Sequence, residues 1–599
     1  MHDHKRAHPS LLFGTLALCL LGPGRALAEQ PTAPLTSAPE LAAPARDTLS
    51  VEEVEKLELV TQRVAEEVVP SVVGLFVDGV GGMASGVIVS PDGWIMTVGH
   101  AIKSPFQPCT VVLHDGTEVA GVTLGKNGRY DMGLCRILEE REEPWPYAPL
   151  GDSDLLRTNQ PSLMVGHPGG MAPGRPPVVR FGSISDPDGR FFRSTARIQP
   201  GDSGGGLFDL EGHLIGIASR IEVELAANDF VPVERFRSAW ARLARGETWQ
   251  PDPNLPFLRD DQDPVPGYED AGEPDAEPPP IARRSLLSRD TLSTNARSEL
   301  RRALDGTYAA EHPSVALIRG RRGLRRIETL ATVVDPSGLL LAKASALGGY
   351  LRAELSDGRE LAARVLATDE ETDLALLSVS ARNLEAVDFA SASTLNPGQF
   401  VIAPGAGFGH EVGVVGVAAR DIPARGPGYL GIRLGRRGGQ GALVDSVEPN
   451  TGAERAGFRA GDRVVAVNGR EVSDGNELIS TLHLHAPGQS VEVSLLRDGE
   501  GLELSATLGS RPDLDERPLF HAADQISVSD RRDRFPDTVR TDLVLDPERC
   551  GGPLVDLEGQ VVGLNIARVD RVGSLALSSE AVQASLTSLR QAAGLRRSL

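Results

Sequence analysis

The sequence predicts a mainly β protein in which one all-β unit occurs twice and a smaller α+β domain interrupts the second copy. Three observations support this fold class. The chain has 599 residues, enough for three or four domains of ordinary size. Its 66 glycines and its low aromatic content of 4% suit short strands joined by many turns. Several short phrases from the first half of the sequence also recur, in the same order, in the second half.

The composition narrows the class of partner. The formal net charge is −21, which argues against nucleic acid or an anionic membrane as the main binding partner. Solubility alone accounts for such a charge. No group of cysteine and histidine residues has the spacing of metal ligands, so we predict neither a metal nor another cofactor. After the N-terminal segment, no stretch is long and apolar enough to predict a transmembrane helix.

The N-terminal segment, residues 1–28, has the three parts of a secretory signal peptide. Lys5 and Arg6 supply positive charge, and residues 11–22 form an apolar stretch that is too short to span a bilayer. The Ala-Leu-Ala sequence at residues 26–28 offers a cleavage site with a small residue at each end. We therefore predict an exported protein, either periplasmic or secreted.

The next part of the chain divides by composition into a folded unit and two connecting segments. Residues 29–50, rich in alanine and proline, predict a disordered lead-in. Residues 51–245 begin with a helix over 51–69, continue as short strands with closely spaced turns, and end in a helix that starts at Val233. Residues 246–283 are dominated by aspartate, glutamate and proline, which predicts a stiff linker extended by charge repulsion.

A serine between glycines is the strongest candidate for catalytic chemistry. Residues 199–207 read Gln-Pro-Gly-Asp-Ser-Gly-Gly-Gly-Leu, with Ser203 at the centre. Glycines permit a tight turn that exposes the serine Oγ, and they allow the N–H groups of Gly201 and Ser203 to point at one spot. Two such donors can stabilise the oxyanion of a tetrahedral intermediate. Taken alone, the same string would also fit an ordinary turn without catalytic function.

Two further residue types lie upstream of the serine. Residues 85–101 read as a strand, a Pro-Asp-Gly turn and a second apolar strand, and His100 lies where the second strand ends. Asp131 opens another apolar strand. The chain order is therefore His, Asp, Ser, as in chymotrypsin-type enzymes. We predict His100, Asp131 and Ser203 as catalytic residues, with Gly201 and Ser203 as oxyanion donors.

Four short phrases identify the family that this region resembles. They are Pro-Ser-Val-Val at 70–73, Ser-Gly-Val-Ile-Val at 85–89, Leu-Gly-Asp-Ser at 150–153 and Val-Gly-His-Pro-Gly at 165–169. Together with the His-Asp-Ser order, they resemble the trypsin-like serine proteases of the HtrA/Deg family, and the resemblance extends over residues 60–240. It implies a trypsin-like double β-barrel with the site in the cleft between two six-stranded barrels. Gly206 departs from the family pattern, which usually has proline there, but this change removes no catalytic group.

After the linker the same phrases return in altered form. Residues 313–317 echo 70–74, 333–338 echo 88–93, 372–376 echo 130–134, and 550–559 echo 203–212. The positions of the histidine, aspartate and serine are now Ser345, Asp373 and Cys550. A thiol needs a base or a lowered pKa to attack a carbonyl, and serine in the base position supplies neither. We interpret this region as a degenerate, non-catalytic copy; a cysteine protease that borrows a histidine from elsewhere is the alternative.

The second copy is longer than the first at one place. Asp131 and Ser203 are 72 positions apart, whereas Asp373 and Cys550 are 177 apart, so a segment the size of a small domain has been inserted. Residues 456–462 of that segment read Ala-Gly-Phe-Arg-Ala-Gly-Asp, and an apolar strand and an Asn-Gly turn follow. These motifs resemble a PDZ domain of the HtrA/Deg type.

The PDZ resemblance implies peptide binding by addition of a β-strand. An extended peptide would lie along one strand edge, and backbone N–H groups of the preceding loop would capture its C-terminal carboxylate. The residues that would form this site are Tyr429, Leu430, Gly431, Ile432, Leu478 and Leu482. The two last residues, one helical turn apart on a helix expected over 476–484, would line the side-chain pocket. The simpler alternative is that they are core residues of a PDZ domain without a ligand.

The predicted fold is thus a trypsin-like double β-barrel, an acidic linker, and a degenerate second double β-barrel split by the PDZ domain. The boundaries of the split domain are 284–424 for its first part, 425–509 for the PDZ domain and 510–599 for its second part. We expect an exported serine endopeptidase acting on unfolded or damaged proteins; the alternative is a latent or non-catalytic peptide-binding or chaperone protein. Two points stay open: the oligomeric state, and whether Cys109 and Cys135 form a disulfide or remain buried thiols.

Overall fold

The computed structural model describes the chain between residues 49 and 595, with gaps. The described residues are 49–77, 83–172, 174–221, 227–250, 273, 276–282, 295–305, 312–391, 394–406, 409–424, 428–435, 441–483, 485, 487–509 and 527–595. The predicted signal peptide, nearly all of the lead-in and most of the linker lie outside them. In these described stretches, no helix is both long enough and apolar enough to cross a membrane.

The first helix, α1 (Val51–Val68), forms because its start and one of its faces are specified locally. The Oγ of Ser50 accepts a hydrogen bond from the backbone N–H of Glu53, and the Glu53 carboxylate accepts one from the Ser50 N–H. Val54 and other apolar residues at helical spacing are buried in the core. The helix ends one residue before the end of the predicted span, 51–69.

The first barrel of the first copy is built from six antiparallel strands. They are β1 (Val72–Val77), β2 (Met83–Ile88), β3 (Trp94–Thr97), β4 (Pro108–Val112), β5 (Glu118–Asn127) and β6 (Met132–Ile137). Neighbouring strands pair in the order β5-β4-β1-β2-β3-β6, and β5 also pairs with β6. This last pairing closes the barrel.

The second barrel of the first copy also has six strands. They are β7 (Pro161–Gly166), β8 (Val178–Asp186), β9 (Phe192–Ser194), β10 (Gly206–Phe208), β11 (Leu214–Arg220) and β12 (Asn228–Pro232), closed in the order β10-β11-β12-β9-β8-β7. The helix α2 (Val233–Ala244) begins at the predicted residue and buries Phe236 and Trp240. A short strand, β13 (Thr248–Trp249), then pairs with β5 in parallel.

The second copy begins with a helix, α3 (Ala296–Leu304), and repeats the first barrel. The strands of this barrel are β14 (Val315–Arg322), β15 (Arg325–Asp335), β16 (Leu339–Lys343), β17 (Gly349–Glu354), β18 (Glu360–Asp369) and β19 (Leu374–Val379). They close in the order β14-β15-β16-β19-β18-β17.

The other barrel of the second copy is formed from two separate parts of the chain. Its strands are β20 (Phe400–Ala403), β21 (Glu411–Ile422), β28 (Phe535–Thr541), β29 (Pro553–Val555), β30 (Val561–Arg568) and β31 (Ser574–Ser578). They close in the order β20-β21-β28-β31-β30-β29, and the helix α6 (Ser579–Ala592) follows. The insertion therefore interrupts this barrel between two strands that pair with each other.

The inserted domain has its own sheet and its own core. Its elements are β22 (Ile432–Leu434), β23 (Ala442–Val447), α4 (Gly452–Ala456), β24 (Arg463–Val467), β25 (Arg470–Glu471), α5 (Gly475–His483), β26 (Ser490–Arg497) and β27 (Glu500–Thr507). The strand order is β22-β23-β24-β26-β27, with β25 on β24. Asn468 and Asp498, each followed by glycine, have positive φ angles of 48° and 52° and form the two tight hairpin turns. The helix predicted over 476–484 starts one residue earlier, and its predicted last residue, 484, lies outside the described residues.

One hydrophobic core cluster contains buried residues of both copies. The rings of Phe181 on β8 and Phe400 on β20 meet edge to face with centroids 5.3 Å apart. Asp542, buried just after β28, accepts hydrogen bonds from the backbone N–H of Phe181 (2.9 Å) and from that of Val414 in its own barrel (2.7 Å). The carboxylate of Glu58 on α1 accepts a bond from the Phe400 N–H (2.8 Å). The copies are therefore packed together rather than joined only by a linker.

The predicted mainly β fold with closed double barrels is confirmed. For the predicted linker, the described residues next to its C-terminal end contact the first copy. Ile281 forms a β-bridge with Leu150, and the Ala282 N–H donates to the Leu150 carbonyl at 2.8 Å. The bond satisfies one backbone donor and one backbone acceptor at this surface.

The structure contains Cys109 and Cys135 as free, buried thiols. A hydrogen bond that the Cys135 thiol donates to Cys109, together with burial, raises the pKa of Cys135. Of the two alternatives left open by the sequence, this structure therefore contains the pair of buried thiols.

Candidate active site

A cavity of about 340 Å³ opens in the cleft of the first copy, between its two barrels. Its lining residues are Leu75, Val77, Met83, Ala84, His100, Ala101, Pro200, Gly201, Ser203, Ser219 and Ile221. His100 and Ser203 therefore line the same cavity, although they come from different barrels. Most of the other lining side chains are apolar.

His100 lies in a single 3₁₀ turn, Gly99–Ala101, that follows β3. Its backbone N–H donates to Asp131 Oδ1 at 3.0 Å, and its ring Nδ1 lies 3.0 Å from both oxygens of the same carboxylate. Asp131 has a φ of +54°, in the left-handed region that aspartate tolerates. An ionised carboxylate can only accept, so Nδ1 carries the ring proton and Nε2 is the basic nitrogen.

Ser219, near the end of β11, completes the surroundings of Asp131. Its Oγ donates to Asp131 Oδ2 at 2.6 Å. Burial alone would raise the pKa of the Asp131 carboxyl, but the nearby His100 ring and hydrogen bonds from His100 and Ser219 hold that pKa below its usual value. Asp131 is therefore ionised at neutral pH and can balance a positive charge on His100.

The loop that carries Ser203 is fixed by the opposite barrel. The Ser203 carbonyl accepts from the N–H of Ser85 on β2 (2.7 Å), and the Ser85 Oγ donates to the Gly201 carbonyl (2.8 Å). Gly204 has a φ of +90°, and a Cβ at this position would lie 1.9 Å from the Ser85 carbonyl oxygen. Only glycine fits there, which explains the glycine that follows the serine.

The peptide bond before Gly201 has a defined orientation. The Pro200 carbonyl accepts from the Gly169 N–H at 2.8 Å. In a trans peptide the N–H points opposite to the C=O, so the Gly201 N–H is directed away from Gly169. Gly201 has a φ of +93°, and a Cβ there would lie 2.2 Å from the backbone nitrogen of Gly170. Glycine is therefore required at this position as well.

The N–H of Ser203 is oriented in a similar way. The carbonyl of the preceding residue, Asp202, accepts from the Gly205 N–H at 2.8 Å, which directs the Ser203 N–H to the other side. Within the described part of the chain, no backbone carbonyl accepts from the N–H of Gly201 or of Ser203. Both groups retain the capacity to donate to a bound molecule.

A buried ion pair holds the residue that precedes the nucleophile. Arg180 on β8 donates to both oxygens of Asp202, with Nη1–Oδ2 at 2.6 Å and Nη2–Oδ1 at 2.7 Å. Both side chains are 0% exposed. Asp202 Oδ2 also accepts from the backbone N–H of Gln199 (2.9 Å), so one carboxylate holds the start of the loop and its centre. Removal of either charge would leave the other unpaired in the interior.

The second copy keeps the backbone geometry of this site and changes its side chains. The Ser345 N–H donates to Asp373 Oδ1 (2.8 Å), as the His100 N–H does to Asp131, and Asp373 has the same positive φ (+57°). The predicted equivalence of Ser345 with His100 therefore fits the backbone hydrogen bonds. Asp373 Oδ2 accepts from the Ser345 Oγ (2.6 Å) and from Lys343 Nζ (2.7 Å). The Asp373 carboxylate is thus paired with the Lys343 ammonium group and hydrogen-bonded to the Ser345 hydroxyl.

Cys550, at the nucleophile position of the second copy, lies in a different local structure. Its thiol is fully buried, and burial raises its pKa. Its backbone N–H donates to the Pro547 carbonyl (3.2 Å) and so closes a 3₁₀ turn that contains Glu548, the counterpart of Gly201 by position. The N–H that corresponds to that of Ser203 is therefore used within the turn.

The predicted carboxylate-binding segment of the inserted domain precedes β22, an end strand of its sheet. Tyr429 exchanges backbone hydrogen bonds with Gly509, and Leu430 is buried in the domain core. Gly431 has a φ of +87°, and a Cβ there would lie 2.2 Å from the Cβ of Thr451, so the position requires glycine. Ile432 begins β22 and packs against the core.

The predicted pocket residues on α5, Leu478 and Leu482, both belong to the hydrophobic core of the inserted domain. They are buried without a ligand. This placement fits the simpler alternative, in which they are core residues, at least as well as it fits a role in a side-chain pocket.

Sequence reasoning missed Ser219, Arg180 and Lys343, which the structure brings to the two sites. Each carried a signal of the same kind: a polar or charged residue within or directly after an apolar strand. Such a residue usually has a buried partner, because burial without one is costly. The partner itself is distant in sequence, so the signal identifies one half of each contact only.

Two protein-family profiles match parts of this chain. The profile described as trypsin-like peptidase domain matches residues 84–217 and 329–427, which include parts of both copies. The profile described as PDZ domain matches residues 428–508. Fold and profiles together define the class: a trypsin-like peptidase fold combined with a PDZ domain.

Curated relatives that match parts of this chain are named as serine proteases. A probable periplasmic serine endoprotease DegP-like from Halomonas elongata is 25% identical over 265 residues, covering 30% of this chain and 56% of the relative. The putative serine protease HhoA from Synechocystis sp. is 30% identical over 182 residues, covering 28% and 45%. The chain thus spans about half the length of these curated relatives. In these parts the chain is similar to serine proteases named DegP-like and HhoA.

Two solved structures that align with this chain are also those of proteases. The crystal structure of the serine endoprotease from Yersinia pestis aligns with a TM-score of 0.28 at 16% identity, covering 75% of this chain and 98% of that one. The HtrA-type protease AlgW with tripeptide aligns with a TM-score of 0.27 at 18% identity, covering 76% and 97%.

Proposed function

We propose that the first copy is a serine endopeptidase with Ser203 as its nucleophile. His100 takes the Ser203 proton through Nε2 and returns it to the leaving amine, while Asp131 orients the imidazole and stabilises its positive charge. The N–H groups of Gly201 and Ser203 stabilise the oxyanion of each tetrahedral intermediate. Water, activated by His100, then attacks the acyl-enzyme, and the Ser203 Oγ leaves with the returned proton.

The observation that carries this proposal is the hydrogen-bonded pair of His100 and Asp131 at a cavity that Ser203 also lines. The pair supplies a base whose tautomer is defined by its partner. The lowered pKa of Asp131 keeps the carboxylate charged over the pH range in which the histidine must accept a proton. Ser219 supports the same carboxylate from the opposite barrel.

The cavity also supports a class of substrate. Leu75, Val77 and Ile221 give its wall an apolar character, and no aspartate, glutamate, lysine or arginine is among its lining residues within the described chain. Such a cavity suits apolar side chains of an extended chain. Unfolded or damaged proteins expose such side chains, which are buried in folded proteins. We infer that these are the substrates and that the protein acts after export.

The PDZ domain supplies a second contact for the same class of substrate. β22 lies at the end of its sheet, so an extended peptide can add to it as a further strand. Gly431, in the left-handed conformation, lies in the segment that precedes this strand. We propose that this segment binds peptide C-termini and that Leu478 and Leu482 line the floor of the groove.

The second copy takes no part in hydrolysis in this proposal. Its nucleophile position holds a buried thiol with a raised pKa, its base position holds Ser345, and its loop N–H closes a turn. Nucleophile, base and oxyanion donor are thus all altered.

Cleavage of an unfolded protein tests the proposed function. Purified protein should degrade reduced casein, and Ser203→Ala should lower the rate at least 10³-fold, to near background. Cys550→Ala is the matched control, because it removes the corresponding atom of the second copy and should leave the rate unchanged. Cleavage that survives Ser203→Ala, or that is lost in a folded Cys550→Ala protein, would contradict the assignment of the nucleophile. Suppression of casein aggregation without cleavage would support a chaperone instead.

A further inference from the structure

The second copy contacts the nucleophile loop of the first copy directly. Gln199, which begins that loop and is 4% exposed, donates from Nε2 to Asp570 Oδ2 at 3.2 Å. Asp570 lies in the turn between β30 and β31, 371 positions away along the chain. A side chain of the degenerate copy thus contacts the first residue of the segment that carries Ser203.

Asp570 is itself held in a fixed orientation. Its Oδ2 also accepts from Arg540 Nη2 (2.5 Å), and its Oδ1 accepts from the backbone N–H of Val572 (3.0 Å). The Asp570 side chain is 15% exposed and that of Arg540 is 7% exposed. A charged acceptor in a mostly buried position makes a stronger hydrogen bond than a neutral or mobile one.

Gln199 connects this contact to the residue before the nucleophile. Its backbone N–H donates to Asp202 Oδ2 (2.9 Å), and its carbonyl accepts from the Asp202 N–H (3.0 Å). Its side chain also lies against Gly169, where an added Cβ would be 3.4 Å from Gln199 Nε2. The N–H of Gly169 holds the Pro200 carbonyl, and this bond orients the N–H of Gly201.

The charge of Asp570 also acts on Arg175, a side chain that contacts the segment facing the nucleophile loop. Arg175, which follows β7, donates through Nη2 to the Gly170 carbonyl. Burial and the charge of Arg540 lower the pKa of Arg175 to about 9, and the charge of Asp570 opposes that shift. Asp570 thus contacts the nucleophile loop through its hydrogen bond with Gln199, and only its charge reaches Arg175.

We infer that Asp570 is a positioning residue for the first copy: through Gln199 it holds the nucleophile loop in the conformation that directs the Gly201 N–H into the cavity. The inference rests on the proposed hydrolysis at Ser203. It gives the degenerate copy a role in the same chain, as a permanent support for the active loop. The support is local, because it depends on one carboxylate rather than on the whole interface.

The test measures how fast a fluorophosphonate probe labels Ser203, together with kcat and KM for a peptide substrate. Asp570→Ala should lower the labelling rate and kcat about tenfold or more, because a hydrogen bond to a charged group is lost. KM should change less than twofold, because the loop forms the oxyanion hole and not the main substrate surface. Asp570→Asn keeps an oxygen acceptor and should recover part of the loss. Asp546→Ala is the matched control: this acid of the same barrel is 70% exposed, pairs with Arg568 and should label at the wild-type rate.

A substitution on the other side of the contact makes the test independent of the second copy's folding. Gln199→Leu removes the donor and should reproduce the loss, and the double variant with Asp570→Ala should be no slower than the slower single variant. The inference is overturned if the two losses multiply, or if either single variant labels at the wild-type rate. Absence of labelling in the wild-type protein would instead contradict the proposed function, so the two failures are distinguishable.

Discussion

The two copies have the same closed barrels and the same left-handed aspartate, yet their loops differ in what they offer a substrate. In the first copy, the carboxylate of Asp131 accepts from a histidine, whereas in the second copy Asp373 accepts from a lysine and a serine. The N–H of Ser203 is available to donate, whereas that of Cys550 closes a 3₁₀ turn. The difference indicates that a barrel scaffold persists while a few loop residues decide whether a site can form.

The same loops also differ in how they are held. In the first copy the residue before the nucleophile is an acid, Asp202, paired with Arg180 at 0% exposure. In the second copy the corresponding residue is a base, Arg549, whose partner Glu411 lies at 3.4 Å and is 38% exposed. The charges are exchanged, and the bidentate buried pair has become a longer and partly solvated one. The first loop should therefore be the more rigid of the two.

The largest expected difference between the copies concerns their aspartates. Asp131→Asn should lower kcat about 10⁴-fold, because an amide favours the wrong imidazole tautomer and cannot balance its charge. Asp373→Asn should leave kcat per folded molecule unchanged and lower stability by about 3 kcal/mol, because Lys343 loses its charged partner in the interior. Steady-state kinetics and urea unfolding of both variants measure the two effects. Equal losses of kcat in Asp131→Asn and Asp373→Asn would contradict the proposed difference between the two copies.

The next prediction compares the contribution to stability of two ion pairs, Arg180–Asp202 in the first copy and Arg549–Glu411 in the second. Arg180→Met leaves the Asp202 carboxylate buried and unpaired, and should lower the free energy of unfolding by about 3–5 kcal/mol. Arg549→Met acts on a pair that is partly solvated on the acid side, and should cost about 1–2 kcal/mol. Urea unfolding monitored by tryptophan fluorescence compares them. If Arg549→Met proves the more damaging, the first loop is not the more firmly held.

A smaller effect on kcat is expected at Ser219, which is not among the site residues predicted from the sequence. Ser219→Ala removes one of the hydrogen bonds to Asp131, and should lower kcat about tenfold with little change in KM, because a bond to a charged group contributes about 1.5 kcal/mol. Ser219→Thr keeps the hydroxyl and serves as the control. A wild-type kcat in Ser219→Ala would show that His100 and Asp131 are held without it.

The smallest effect concerns the surface that joins the copies. Burial raises the pKa of Glu58 to about 7 from an ordinary value of 4.5, although a bond from the Phe400 N–H opposes the shift. The folded state therefore holds this proton more tightly, so its contribution to stability is full below about pH 4.5 and is lost as the pH rises through 7. Because Glu58 is only partly buried, we expect a change of about 1 kcal/mol.

Glu58→Gln removes the titrating group and should flatten this part of the pH profile. Thermal unfolding of the wild type and the variant at pH 5 and pH 8 measures it, with activity followed in parallel. An equal pH dependence in both proteins would exclude Glu58 as its source.

The sequence predicted those parts of the site that local phrases specify. His100, Asp131 and Ser203 each follow or precede a recognisable apolar strand, and the larger spacing between Asp373 and Cys550 located the inserted domain. The repeat predicted the second set of barrels for the same reason. In all these instances, the information lies within a few residues or in a difference of spacing.

Contacts between distant segments could not be predicted in this way. The bond from Gln199 to Asp570 joins positions 371 apart, and nothing in either local sequence identifies its partner. The same holds for Asp542, which reaches the backbone of Phe181 in the other copy. The contact of Ile281 with Leu150 is of the same kind: composition describes the charges of the linker, whereas this pairing depends on the surface beside it.

Mapping of the site that a fluorophosphonate probe modifies in the full-length protein tests the account most directly. We predict one adduct per chain, located on Ser203 by mass spectrometry of the digested protein and absent from His100→Ala. Wild-type protein without an adduct, or with an adduct in the second copy, would contradict the claim that the first site alone is competent.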